Sequence, residues 1–193
     1  MPMDLPPQLQ ERITCSIAAA VQYGIPANIM LAVAEKEGGK AGQWVRNANG
    51  THDVGPLQFN TAYLRQLSKY GIAPGDVAAA GCYPYELAAW RLRMHIKQDT
   101  GDLWRRCSNY HSRNAQLNEI YRVDLVQRSK LWAEWIESRF TVRGYVEENT
   151  SLLYSDQKHP REHSVRVPLR QAYSHSVIKV LYQPRAIANH PRR

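Results

Sequence analysis

Two acids in this 193-residue chain, Glu35 and Glu37, stand directly before the glycines Gly38 and Gly39, where a helix should end. Helical spacing puts Ile29, Val33 and Glu37 in one row flanked by Met30 and Ala34, so Glu37 points at whatever core that row faces. Glu35 lies about 200° round the same helix and is expected to project toward solvent. A carboxyl at the end of an apolar row is partly desolvated, and both desolvation and the negative end of the helix dipole disfavour its ionised form. The chemistry this predicts for Glu37 is that of a general acid with its pKa raised toward neutrality, able to protonate a leaving oxygen such as that of a glycosidic bond. The same spacing also suits a plain ion pair with Lys36, Lys40 or Arg46 at the rim of the core.

Asp53 follows Glu37 by 16 residues, just ahead of Gly55. It could stabilise positive charge at a sugar carbon or activate a water, or it could cap the turn entering Val54. His52 and His111 lie in polar stretches where a histidine is either a surface residue or a catalytic one. The cysteines, Cys15, Cys82 and Cys107, have no C-x-x-C spacing, which argues against a zinc site and allows at most one intramolecular disulfide. None of the chemistry read here requires a metal or a cofactor.

The elements that must hold these residues are mostly helical. Ile13, Ile17, Ala20 and Val21 recur at helical spacing between Pro7 and a Tyr23-Gly24 stop, and Pro26 suits the first turn of the helix that ends near Glu37. Residues 40–53 are polar and turn-rich, with Asn49-Gly50 at the centre and Trp44 as the large apolar anchor, so a surface loop or short hairpin is expected. Asn60 is placed to cap a helix running to Gly71, and Asp76 to cap a short alanine-rich turn. Residues 85–98 form an apolar-faced helix, a shorter one starts at Asp102, and a long amphipathic helix over 117–140 closes the unit. The fold class is therefore mainly α, with a domain at 1–140 and a basic C-terminal extension at 141–193.

The formal charge of +8 makes nucleic acid, an acidic membrane surface or an anionic wall polymer the macroscopic partners to consider. Residues 1–140 carry 16 basic and 13 acidic side chains, a net of +3, whereas 141–193 carry 9 and 4, a net of +5. The folded part is thus nearly balanced, and with no ordered recognition motif a nucleic-acid partner is not expected. The extension mixes His, Arg, Pro, Ser and Gln with short apolar pieces such as 177–181, and much of it reads as extended or disordered on its own. No stretch approaches the roughly 18 consecutive apolar residues of a membrane-spanning helix. The opening MPMDLPPQLQ lacks a basic n-region and an apolar h-region, so no secretory signal peptide is legible and the plain expectation is the cytoplasm.

Several ordered motifs between Cys15 and Tyr121 carry a family resemblance. They are Cys15 with YGIP at 23–26, AVAEKEGG at 32–39, NANGTHDVGPLQFN at 47–60, Cys82 with WRL at 90–92, and NYHS at 109–112 followed by Tyr121. The chain resembles the specialised lytic transglycosylases of the lysozyme-like superfamily, in particular small members associated with conjugation and type IV secretion. The resemblance implies a lysozyme-like, goose-type helical domain with a small loop or hairpin region. It makes Glu37 the acid/base, gives Gln58 and the Gly55-Pro56-Leu57 backbone to sugar substituents, and sets Tyr110, His111 and Tyr121 around the acid. It also implies a Cys15–Cys82 disulfide with Cys107 left over, and hence an oxidising periplasmic or wall location, against the cytoplasmic expectation. Most relatives have serine where this chain has Gly38, methionine at Leu57, and Ala-Tyr-Asn at 109–111.

The implied reaction is non-hydrolytic cleavage of the β-1,4 bond between N-acetylmuramic acid and N-acetylglucosamine in peptidoglycan, giving a 1,6-anhydro product. The partners it implies are glycan strands and, through 141–193, proteins of a secretion or conjugation apparatus. Two other readings are a lysozyme-type hydrolase using Glu37 and Asp53, and a wall-binding scaffold that does not cut.

Overall fold

In the computed structural model the backbone is described for residues 7–146 and 178–184, and side chains for residues 7–140. Seven helices dominate, so the chain is mainly α. Helix α1 (Pro7–Tyr23) leads through Gly24 and Ile25 into α2 (Ala27–Glu37), whose N-cap is Pro26, one residue ahead of the first-turn position read from sequence. Ala27 and the whole run from Ile29 to Ala34 are at most 2% exposed. A helix that is apolar all round must be covered all round, and α1, α5 (Tyr83–Gln98) and α7 (Ala115–Arg139) pack against α2. Gly38 ends α2 in the left-handed conformation, φ +60°, which glycine adopts without the steric cost of a Cβ.

The stretch at 40–53 is a hairpin extended to three antiparallel strands, β1 (Trp44–Arg46), β2 (His52–Val54) and β3 (Phe59–Asn60). Its register pairs Val45 with Asp53 and Asp53 with Asn60. Trp44 is not an anchor: it is 49% exposed and meets His52 edge-on at 6.0 Å, because a three-residue outer strand has nothing packed on that face. Val54 and Phe59, by contrast, are fully buried and bind the sheet to the helical body.

Asn60 caps α3 (Thr61–Leu67) by accepting from Ala62 N at 2.9 Å. Asp76 caps the next turn from its third position rather than from ahead of it. It sits inside α4 (Pro74–Ala78) and its carboxylate accepts from Ala73 N at 2.7 Å, because Pro74 already occupies the first helical position. Asp102 caps α6 (Leu103–Ser108), and Asn114 caps α7, starting it two residues earlier than the apolar pattern predicts.

Cys15 and Cys82 are joined in a disulfide, Cα–Cα 4.9 Å, that ties α1 to the start of α5, and Cys107 is a buried free thiol. Beyond α7 the backbone turns into β4 (Phe140–Val146), which pairs antiparallel with β5 (Ile178–Pro184). The remainder of the predicted extended or disordered segment lies outside the described residues. Among the described residues no helix is long and apolar enough to cross a membrane.

Candidate active site

Three consecutive residues at the end of α2 each meet a different position on one face of α7. Glu35 pairs with Arg128 at 2.8 Å and accepts from Trp132 Nε1 at 2.8 Å, Lys36 pairs with Asp124 at 2.6 Å, and Glu37 accepts from the Tyr121 hydroxyl at 2.7 Å. Arg128 also reaches Asp124, at 2.9 Å, so Glu35, Arg128, Asp124 and Lys36 form a continuous charge network. Glu35 is the more exposed of the two acids, as its angle on the helix predicts, its side chain 37% exposed, yet it is not free: α7 lies against that side of α2 and Glu35 fastens the two helices.

Glu37 is left as the acid of the cleft. It lines a cavity of about 220 Å³ together with Lys36, His111, Leu117, Ile120 and Tyr121. No ion pair reaches it among the described residues; Lys36, its nearest candidate in sequence, is committed to Asp124. Burial pushes its pKa from 4.5 up to about 7, the Tyr121 hydrogen bond and the charges of Arg91 and Lys36 oppose the rise, and Asp53 adds to it. The net effect is a carboxyl that exchanges its proton near neutrality, as a general acid and base requires.

Tyr121 is 3% exposed and burial holds its phenol well above the usual range, so its hydroxyl stays a donor to Glu37. His111 stacks on its ring, centroids 4.9 Å apart and nearly parallel, and the Lys36 ammonium lies 4.8 Å from the ring centroid. Burial and the nearby Lys36 lower the His111 pKa, leaving the imidazole neutral at pH 7. Tyr110 lies deeper: its hydroxyl donates to the Leu57 carbonyl at 3.2 Å, fastening residues 55–58 to the 109–112 segment. The Leu57 side chain is itself fully buried, so only its backbone faces that segment.

The 55–58 turn is held against the end of α2 by the absence of two side chains. A Cβ on Gly39 would come 2.2 Å from the Gly55 carbonyl oxygen and 2.5 Å from Gln58 Nε2, and one on Gly55 would come 2.0 Å from the Val77 carbonyl oxygen. Gln58 adopts a left-handed φ of +49° and its amide donates to the Gly55 carbonyl at 2.7 Å. Asp53 lies within β2 and accepts from Asn60 Nδ2 at 2.9 Å; it caps no turn, because as a strand residue it faces its β3 partner. His52 projects to the other side, beside Trp44, away from Asp53.

Sequence reasoning singled out Glu37, Asp53, Gly55, Leu57, Gln58, Tyr110, His111 and Tyr121, offered Lys36 only as an ion-pair partner of Glu37, and gave no role to Asp124, Arg91 or Asn118. Lys36 and Asp124 flank the Glu37–Tyr121 bond. Arg91 lies between the Tyr63 and Tyr110 rings, 4.3 and 4.6 Å from their centroids. Asn118, 5% exposed, donates to Arg105 O, Asn109 Oδ1 and Ser112 O and so fixes the segment that carries Tyr110 and His111. Asn118 alone carried a sequence signal, a polar residue one helical turn before Tyr121 on the inward row of α7. Among the described residues no group of three His, Cys, Asp or Glu side chains could hold a metal ion.

No protein-family model matches the chain. It is similar to protein IpgF of Shigella flexneri, 28% identical over 102 residues, which is 52% of this chain and 66%, just under two thirds, of that protein.

Proposed function

We propose that the chain is a peptidoglycan lytic transglycosylase that opens the wall locally for a secretion or conjugation apparatus. The observation that carries this is Glu37: a buried carboxyl free of ion pairs, with a pKa of about 7, held at 2.7 Å by a tyrosine hydroxyl and opening on a cavity. Protonated, Glu37 gives its proton to the glycosidic oxygen as the bond from the muramoyl C1 breaks. As carboxylate it then takes the proton from the muramoyl C6 hydroxyl while O6 bonds to C1, which closes the 1,6-anhydro ring and restores the acid. One carboxyl serves both steps, the nucleophile belongs to the substrate, and no water is consumed. Tyr121 supplies the orienting hydroxyl that the serine of most relatives could provide and Gly38 cannot.

The Gly55–Gln58 turn, with its carboxamide against Gly39 two residues beyond the acid, is the proposed contact for sugar substituents, with His111 and Tyr110 as part of the wall. The proposed domain boundary falls at 140, and the extension beyond it is the proposed contact for the apparatus. A disulfide of this kind persists in an oxidising compartment, which favours a periplasmic or wall-associated site of action.

Asp53 offers a second reading. Its charge is felt by both Glu37 and His111, which supports a role for it in directing a water to C1 and so making the protein a hydrolase. The test is digestion of purified peptidoglycan by the wild type and Glu37→Gln, with mass spectrometry of the products. Anhydro-muropeptides from the wild type alone support the proposal. Products heavier by one water support the hydrolase, and the absence of cleavage by either protein leaves a glycan-binding scaffold.

A further inference from the structure

Arg91 is the unpaired cation of the cleft. Neighbouring arginines are committed: Arg93 donates to Tyr23 O at 2.6 Å, Arg106 to Ile96 O at 2.6 Å, and Arg113 pairs with Asp99 at 2.8 Å. The Arg91 guanidinium is clamped between two tyrosine rings, which fixes its plane, yet no carboxylate pairs with it among the described residues. Apart from the Tyr110 hydroxyl, which already donates to Leu57 O, its N–H groups meet no acceptor there. It lines a cavity of about 360 Å³ with Tyr63, Trp90 and His111, and His111 also lines the cavity of Glu37, so the two spaces adjoin. A preoriented guanidinium with free donors, next to an aromatic wall, is suited to a planar anion carried on an otherwise uncharged ring.

We propose that Arg91 binds a carboxylate attached directly to the sugar, and that the site therefore selects glycan whose lactyl carboxylate is free, that is, strands from which the stem peptide has been removed. This rests on the glycan-cleaving reading and names its substrate. The carboxylate must be a short one, because Arg91 is only partly exposed and flanked by two rings.

The experiment is an NMR titration of the full chain with the disaccharide of N-acetylglucosamine and N-acetylmuramic acid bearing a free lactyl carboxylate, and with the methyl ester of the same disaccharide. The wild type is expected to bind the ester about 10-fold more weakly, the loss of one charge-assisted pair. That ratio falls to near 1 in Arg91→Met and persists in Arg91→Lys. Equal binding of acid and ester by the wild type, binding of neither, or an undiminished ratio in a folded Arg91→Met overturns the proposal. The acid-to-ester comparison on the wild type needs no variant to fold. It is also separate from cleavage: a protein that discriminates the acid but cuts no wall retains the Arg91 site and loses the enzymatic reading, and the reverse result does the opposite.

Discussion

The Tyr121 hydroxyl donates to Glu37 Oε1 at 2.7 Å across 84 residues of chain, and it is the sole hydrogen-bond partner of that carboxyl among the described residues. The bond does two opposed things. It holds one carboxylate oxygen in place, and it lowers a pKa that burial has raised. In Tyr121→Phe the carboxyl loses its orientation and its pKa rises further, so the alkaline limb of the pH–rate profile moves upward while the maximal rate falls about 10-fold. Initial rates on soluble glycan strands across pH check this, and an unmoved limb would show that the hydroxyl does not act on the acid.

Glu37 also sets a pH dependence of stability. Folded, it keeps its proton up to about pH 7; unfolded, it releases it near 4.5. The folded state binds the extra proton in that window, so the contribution is fully present below 4.5 and is lost as pH rises through 7, by on the order of 3 kcal/mol. Glu37→Gln cannot ionise and lacks this decline. Urea unfolding at about pH 4 and about pH 8 should show a larger loss in the wild type than in the variant, and equal losses count against a buried protonated acid.

Lys36 lowers the pKa of both Glu37 and His111, and it lies over the ring that joins them. Lys36→Met is therefore expected to raise both values, seen as an upward move of the His111 ring titration by NMR and of the alkaline limb of activity. Lys36 and Asp124 are partly exposed, 21% and 34%, so the stability loss should stay within about 1 kcal/mol.

Gly39→Ala places a methyl 2.2 Å from a backbone oxygen and 2.5 Å from the Gln58 amide. The neighbouring backbone cannot yield as a flexible side chain would, so the 55–58 turn must move off the end of α2. The expected result is a stability loss of about 2 kcal/mol or more together with weakened glycan binding. Gly75→Ala, where a Cβ meets nothing within 4 Å and φ is, as at Gly39, not left-handed, is the control for chain stiffness. A Gly39→Ala variant no less stable than that control would overturn the close approach.

The Cys15–Cys82 bond closes a separation of 67 residues. Loop-closure entropy assigns such a bond roughly 4 kcal/mol, so the Cys15→Ser, Cys82→Ser double variant should unfold well below the wild type under oxidising conditions. Thiol titration of the denatured, unreduced wild type should find one free thiol, that of Cys107; three would contradict the bridge.

Much of the helical frame was legible in the sequence because its signals are local. The apolar row of α2, the Gly38 stop, the Asn60 cap and the helix start beside Asp102 each depend on neighbours a few residues away, and each is within a residue of where the pattern puts it. The misreadings share a cause. Trp44 was read as an anchor and Glu35 as free of partners from residue type and helical angle, but packing depends on what another segment lays against that face. Among the described residues Trp44 stays half exposed, and α7 supplies Glu35 with Arg128 and Trp132.

The candidate site divides along the same line. From local pattern alone it was readable that Glu37 ends an apolar row at a glycine stop, since periodicity and glycine placement act over a few residues. Only the tertiary structure decided which acid stays free of a cation, which tyrosine holds it and which arginine stands unpaired beside it. Those outcomes depend on where α7 and α5 pack against α2, and the partners are 84 residues apart for Tyr121 with Glu37 and 88 for Lys36 with Asp124, far beyond the reach of any local pattern.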